Sequence, residues 1–260
     1  VANEPSNNAR SEVQLSFHGS VLQMFGWVVL SILGGLLLGI PLAWVNVAIA
    51  RWYCRNTQFS DGTTAEFRGT GGEVVVWHVL LFLVSGGQQF AMSRTDSSDY
   101  AGLISIFTLT YVVIIGIVLM LLKWFVYNLR VNPGPQLTFT GSFAGVLGWY
   151  VALAVSIVTV IGWAWVAVEM YRWMARNVKG QGIALEFRAS GFEFLWRAAA
   201  TGLGSVFIVT IPFLMVWFAR WMIGNVVLIR GVETEWGGFI EEQRTPQKPS
   251  WPAVPPLHRQ

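Results

Sequence analysis

With a single cysteine, Cys54, the 260-residue chain can form no internal disulfide, and nothing in it requires an oxidising compartment. Histidine is nearly as scarce. His18, His78 and His258 stand far apart, and none pairs with another His or Cys at the spacing of a zinc or haem site. Also missing are a glycine-rich phosphate loop, a nucleophile elbow and paired carboxylates, so neither a cofactor nor an enzymatic activity is expected. Charged residues make up only 12% of the chain, against 54% hydrophobic, and the mean hydropathy is +0.53. The basic residues flank apolar runs, a placement that suits lipid head groups, and no nucleic-acid partner is expected.

What the chain has in quantity is uncharged apolar sequence. Five runs approach or exceed the ~18–20 residues that cross a bilayer as a helix. They are Val21–Ala50, Val74–Ser93, Ala101–Leu122, Ser142–Val168 and Ala198–Ala219. The first is too long for the core of a cleavable signal peptide. Core helices of a soluble protein are the alternative, but a chain this short has little with which to cover five of them. The expected fold class is an all-α integral membrane protein, with about five transmembrane helices in an internal repeat linked by short β-hairpins.

The repeat is carried by spacing. A basic residue and a Trp close an apolar run, an Asn follows four residues after the Trp, then come a Gly and, five residues on, an aromatic residue. The four copies read Arg51-Trp52, Asn56, Gly62, Phe67; Lys123-Trp124, Asn128, Gly134, Phe139; Arg172-Trp173, Asn177, Gly182, Phe187; and Arg220-Trp221, Asn225, Gly231, Trp236. A pattern held in register four times marks repeated structural units. The Arg/Lys-Trp pairs are read as membrane-interface anchors, the indole at head-group level and the cation on phosphate. Asn is read as a helix C-cap that tolerates left-handed backbone, and the Gly as the turn of a hairpin, clearest in Asp61-Gly62.

In chain order, residues 1–12 read as a disordered tail. Residues 13–134 form a first repeat half with about three transmembrane helices, 135–238 a second half with about two, and 239–260 a Pro-rich tail. Val13–Gly19 alternates apolar and polar and reads as a strand, the second half of a hairpin whose first half is missing. Pro41 is expected to kink the first helix. One helix in units one, three and four and two in unit two would put the third hairpin on the opposite face from the others. That hairpin is also the most basic, so no orientation satisfies the positive-inside rule unless a unit is re-entrant. Of the intramembrane polar residues, Asn46 and His78 form the candidate polar site. A hydrogen bond between helices is the ordinary reading for them, and a permeation track the functional one.

The pattern resembles the YjgN-like family of bacterial inner-membrane proteins, built on a domain of unknown function. The resemblance rests on Phe17, Gly19, Gly39, Pro41, Trp44, Arg51, Asn56-Thr57, Gly62, Phe67 and Gly69. In the second half it rests on Phe139, Gly141, Thr159, Gly162, Trp165, Arg172, Asn177, Gly182 and Phe187. It spans residues 13 to 238, with a thinner Arg-rich turn and no Pro-Trp in the second half. It implies a multi-pass protein of the bacterial inner membrane and supplies no activity. The expected function is a structural or accessory subunit or scaffold of the cell envelope, in contact with membrane lipids and other membrane-protein subunits. The alternatives are a channel or transporter for a small solute or ion, or a lipid-binding protein.

Overall fold

The computed structural model describes residues 11–37 and 39–231. Trp236, Gly238 and the Pro-rich tail lie outside the described residues. The strands are β1 (Ser11–Phe17), β2 (Thr57–Phe59), β3 (Thr64–Phe67), β4 (Leu129–Asn132), β5 (Thr138–Phe139), β6 (Val178–Gly180), β7 (Ile183–Phe187) and β8 (Val226–Arg230). The helices are α1 (Val21–Leu36), α2 (Leu42–Arg55), α3 (Gly71–Arg94), α4 (Tyr100–Asn128), α5 (Phe143–Ser156), α6 (Trp163–Arg176), α7 (Gly191–Gly204) and α8 (Ile211–Gly224).

The expectation of an all-α fold with separate hairpin linkers is wrong. The strands join into one eight-stranded antiparallel sheet in the order β4-β3-β2-β1-β8-β7-β6-β5. Its two ends, β4 and β5, are consecutive in the chain and meet through an antiparallel bridge between Arg130 and Gln136. The missing hairpin partner of β1 is β8 from the other end of the repeat, with Val13 opposite Leu228. A short strand carries an unpaired edge that must be paired or covered, and curling the sheet into a half-barrel brings its two edges together at the Arg130–Gln136 bridge. Alternating positions point inward, so Val13, Phe59, Val131, Phe139, Val178, Ile183 and Leu228 meet in one core, joined by Ile115, Leu119 and Val126 of α4.

The chain is built four times from one unit: strand, helix, helix, strand. Each helix pair leaves the sheet after a Phe-x-Gly or Phe-x-Ala corner and returns beside it. The second helix ends at Asn, whose carbonyl accepts from the backbone N–H of His18, Arg68, Thr140 or Arg188 in its own corner, at 2.9–3.0 Å. The apolar runs expected to be single spans at Val21–Ala50, Ser142–Val168 and Ala198–Ala219 are therefore bent pairs. Gly39, at φ +72°, lies between α1 and α2, where the kink at Pro41 was expected, and Pro41 instead caps α2. Between α5 and α6 a 3₁₀ turn leads into Val160 at φ +64°, and Pro212 opens α8. Two helices, α3 with 24 residues and α4 with 29, are long and apolar enough to cross a membrane. Hydropathy counts apolar side chains and is blind to these backbone breaks, which is why five spans were expected.

Since every pair of helices returns to the same sheet, all the hairpins lie together, and the assignment of the third to an opposite face falls with the single spans. Ser11 and Glu12 belong to β1 and not to a tail; Glu12 accepts from Arg188 of β7's corner at 2.6 Å, and the guanidinium holds its carboxyl below the usual range. Val160 sits at the centre of a γ-turn, with Ile161 N–H donating to the Thr159 carbonyl at 2.7 Å. A β-branched residue is strained at positive φ. Val160→Gly is expected to raise stability by about 1 kcal/mol, read as a higher unfolding midpoint in detergent; an unchanged or lower midpoint would show that the turn is not strained.

Candidate functional site

The four sequence copies build four equivalent corners. In each, the Trp of the returning helix packs edge-on against the Phe of its own corner: Phe17–Trp52 at 5.3 Å between ring centroids, Phe67–Trp124 at 5.5 Å, Phe139–Trp173 at 5.9 Å and Phe187–Trp221 at 6.4 Å. In the first three units the Gly two residues after Phe is demanded by close approach, and in the fourth, where the rings stand farthest apart, the position is Ala189. A Cβ on Gly69 would lie 2.6 Å from the Trp124 ring, and one on Gly19 2.6 Å from Trp52. The basic residue before the Trp reaches the next unit: Arg51 donates to the Gly69 carbonyl at 2.8 Å, Arg172 to Ala189 at 2.7 Å, and Arg220 to Gly19 at 3.3 Å, from the last unit back to the first. Lys123 makes no such bond among the described residues. The Asn side chain donates to its Trp's carbonyl at 2.8–2.9 Å in all four units. The backbone at Asn56, Asn177 and Asn225 has φ between −99° and −91°, so the residue caps the helix without the left-handed conformation expected of it. The hairpin glycines Gly62, Gly182 and Gly231 do take positive φ; Gly134 is absent from that set.

One element of the repeat escaped the sequence reading. The residue six after the corner Phe faces the indole N–H: Trp52 Nε1 donates to Gln23 at 2.7 Å and Trp124 Nε1 to Glu73 at 2.9 Å. In the third unit the position is Gly145, against which the Trp173 ring packs. In the fourth it is Glu193, whose carboxylate accepts instead from the Ser190 backbone, and Trp221 Nε1 is buried without a partner among the described residues. The Arg197 guanidinium stacks between Trp196, 4.4 Å from the ring centre, and Trp221, 4.8 Å away. Gln23, Glu73, Gly145 and Glu193 differ too much in type to register as a motif.

Asn46 and His78, singled out separately, come together. Asn46 Nδ2 lies 3.0 Å from His78 Nε2, and His78 Nδ1 lies 3.1 Å from the Val74 carbonyl. The carbonyl only accepts, so Nδ1 donates to it, and the Asn46 amide nitrogen faces Nε2. The pair opens into a cavity of about 500 Å³ between α2, α3 and α4, walled by Val47, Val74, Leu81, Leu121 and Trp124. That volume lies in the ~300–1,000 Å³ range of small-molecule sites, with one polar contact in an apolar wall. It offers the second Asn46 N–H and the Asn46 carbonyl oxygen as its hydrogen-bonding groups. Asn46→Leu leaves the Nε2 lone pair of His78 without its donor and is expected to cost about 1–2 kcal/mol of stability in detergent, while Asn46→Leu with His78→Leu recovers most of it. A double variant no better than the sum of the singles would show that the pair does not act as one.

No group of His, Cys, Asp and Glu able to hold a metal occurs among the described residues. Neither a family model, nor a curated protein, nor a solved structure matches the chain.

The surface of the helices is the other feature of functional weight. Only 6% of the apolar window of α3 and 22% of that of α4 are buried. The ends of the three shorter helix pairs are bare and apolar: Leu36 is 76% exposed, Val158 85% and Val209 82%. The end of the α3–α4 pair is instead polar, with Asp96, Ser97, Ser98 and Asp99 all exposed.

Proposed function

We propose that this is a non-enzymatic membrane-embedded protein that acts as a scaffold or accessory subunit. In this reading the sheet sits at one membrane surface, α3 and α4 cross the bilayer, and the three shorter helix pairs dip into it and return. The observation that carries it is the contrast between the ends of the helix pairs. At ~1.5 Å per residue α3 and α4 extend ~36 and ~44 Å, beyond a ~30 Å hydrocarbon core, and their end is charged. The shorter helices, of 14 to 16 residues, extend only ~21–24 Å, and their ends are apolar. Exposed apolar patches larger than a few hundred Å² are rare on soluble monomers, and here the apolar surface follows helix length as a bilayer would require.

The resemblance to YjgN-like proteins supports a bacterial inner membrane as the location. The filled core inside the sheet speaks against a permeation path through its centre and favours the scaffold over the channel. The cavity at Asn46 and His78 favours a second reading, a protein that binds an apolar small molecule or a lipid chain from the side. Gentle extraction from native membranes, followed by the mass of the intact particle, separates the two. A stoichiometric second protein supports the accessory role; a particle of this chain and lipid alone ends it.

A further inference from the structure

We infer that the junction of the first and second units holds a phosphate-class anion in a cavity formed by Arg51, Arg55 and Arg68. The cavity, of about 410 Å³, lies between the end of α2 and β3, with Cys54, Ala65 and Phe67 as its apolar floor. Three guanidinium groups line it, against one carboxylate, Glu66, which pairs with Arg68 at 3.1 Å. Arg51 gives one N–H to the Gly69 carbonyl, and Arg55 has no hydrogen-bond or ion-pair partner among the described residues. Like charges gathered on an apolar floor repel one another, and an anion that takes several N–H groups at once relieves that repulsion. The planar fork of arginine matches the oxygens of a phosphate.

The internal repeat supplies a control. The same three arginines recur at the junction of the third and fourth units as Arg172, Arg176 and Arg188, with Glu186 in the place of Glu66. There two further carboxylates neutralise them: Glu169 pairs with Arg172, and Glu12 with Arg188 at 2.6 Å. At the first junction the counterpart of Glu169 is Ala48, and among the described residues lining the cavity none takes the part of Glu12. The arginine set is the same in both places and only the first is left with excess positive charge.

The anion has two sources, the head group of an anionic phospholipid or a free phosphate; the lipid source rests on the membrane reading above, the pocket itself does not. The test uses the full chain in detergent, with bound lipid counted by native mass spectrometry. Phosphatidylglycerol is expected to bind at least about fivefold more tightly than phosphatidylcholine. Arg55→Gln is expected to remove about fivefold of that preference, and Ala48→Glu, which installs the counter-charge of the third unit, to abolish it. Glu169→Ala combined with Glu12→Ala, which removes both extra carboxylates, should create a second site. Lys179→Gln, which removes a positive charge elsewhere on the sheet, should change nothing. Equal binding of the two lipids, with no binding of inorganic phosphate, overturns the inference. Equal losses in Arg55→Gln and Lys179→Gln overturn it too, because the effect would then be net charge. Displacement of phosphatidylglycerol by inorganic phosphate assigns the pocket to a soluble anion. A chain that stays in solution without detergent and still binds phosphate retires the membrane reading and leaves the pocket standing.

Discussion

Trp52→Ala is expected to lower the stability of the folded chain by about 3–5 kcal/mol, the cost of removing a large buried aromatic side chain. Trp52 is only 7% exposed, packs on Phe17, closes over Gly19 and donates to Gln23. The informative companion is Trp52→Tyr. An indole that merely anchors at a membrane surface is replaceable by tyrosine, which favours the same depth. A wedge between Phe17 and Gly19 is not, because the smaller ring leaves a cavity and loses the bond to Gln23, and a cost of about 2 kcal/mol is expected. Unfolding midpoints in detergent decide it. A tyrosine variant as stable as the parent would restore the anchor reading of the Arg/Lys-Trp pairs.

The second large effect concerns the ends of the short helix pairs. Val158→Arg and Val209→Arg each place a charge where the membrane reading puts hydrocarbon, at about 2.5–3.5 kcal/mol apiece. Both residues are more than four-fifths exposed, so in water the same changes would cost nothing measurable. The expected result is a sharp loss of membrane-integrated protein for each variant, steeper for the pair. Ser97→Arg, at the polar end of the α3–α4 pair, should integrate normally. Normal integration of all three variants would place the short ends in water.

The sequence revealed the repeat through residues whose role is local. Gly62 and Gly182 must take positive φ, and Asn56 and Asn177 must cap a helix beside Trp, so their spacing is rigid and visible. Asn46 and His78 were legible because an amide and an imidazole are conspicuous in apolar helices. What stayed hidden was non-local. The pairing of β1 with β8 joins residues more than two hundred positions apart, and no pattern within either strand records it. The breaks between α1 and α2 and between α5 and α6 lie in uninterrupted apolar sequence, where Gly39 and Val160 change the chain's course without changing its hydropathy. Arg51 and Arg172 read as lipid contacts because their acceptors are backbone carbonyls of the next unit, which are the same in every sequence. The basic excess around Arg55 likewise appears only when the two arginine sets are compared with their neighbours in space.

In the proposed arrangement all four units return to one sheet at one membrane surface. It is tested most directly by cysteine labelling in sealed vesicles. Cys54 is buried and is replaced by alanine, and single cysteines are introduced at Asp61, Pro135, Gln181 and Ser97. A membrane-impermeant maleimide added from one side should label the first three positions together, and Ser97 only from the other side. Labelling at Gln181 from the side opposite Asp61 and Pro135 would restore five single spans and contradict the account.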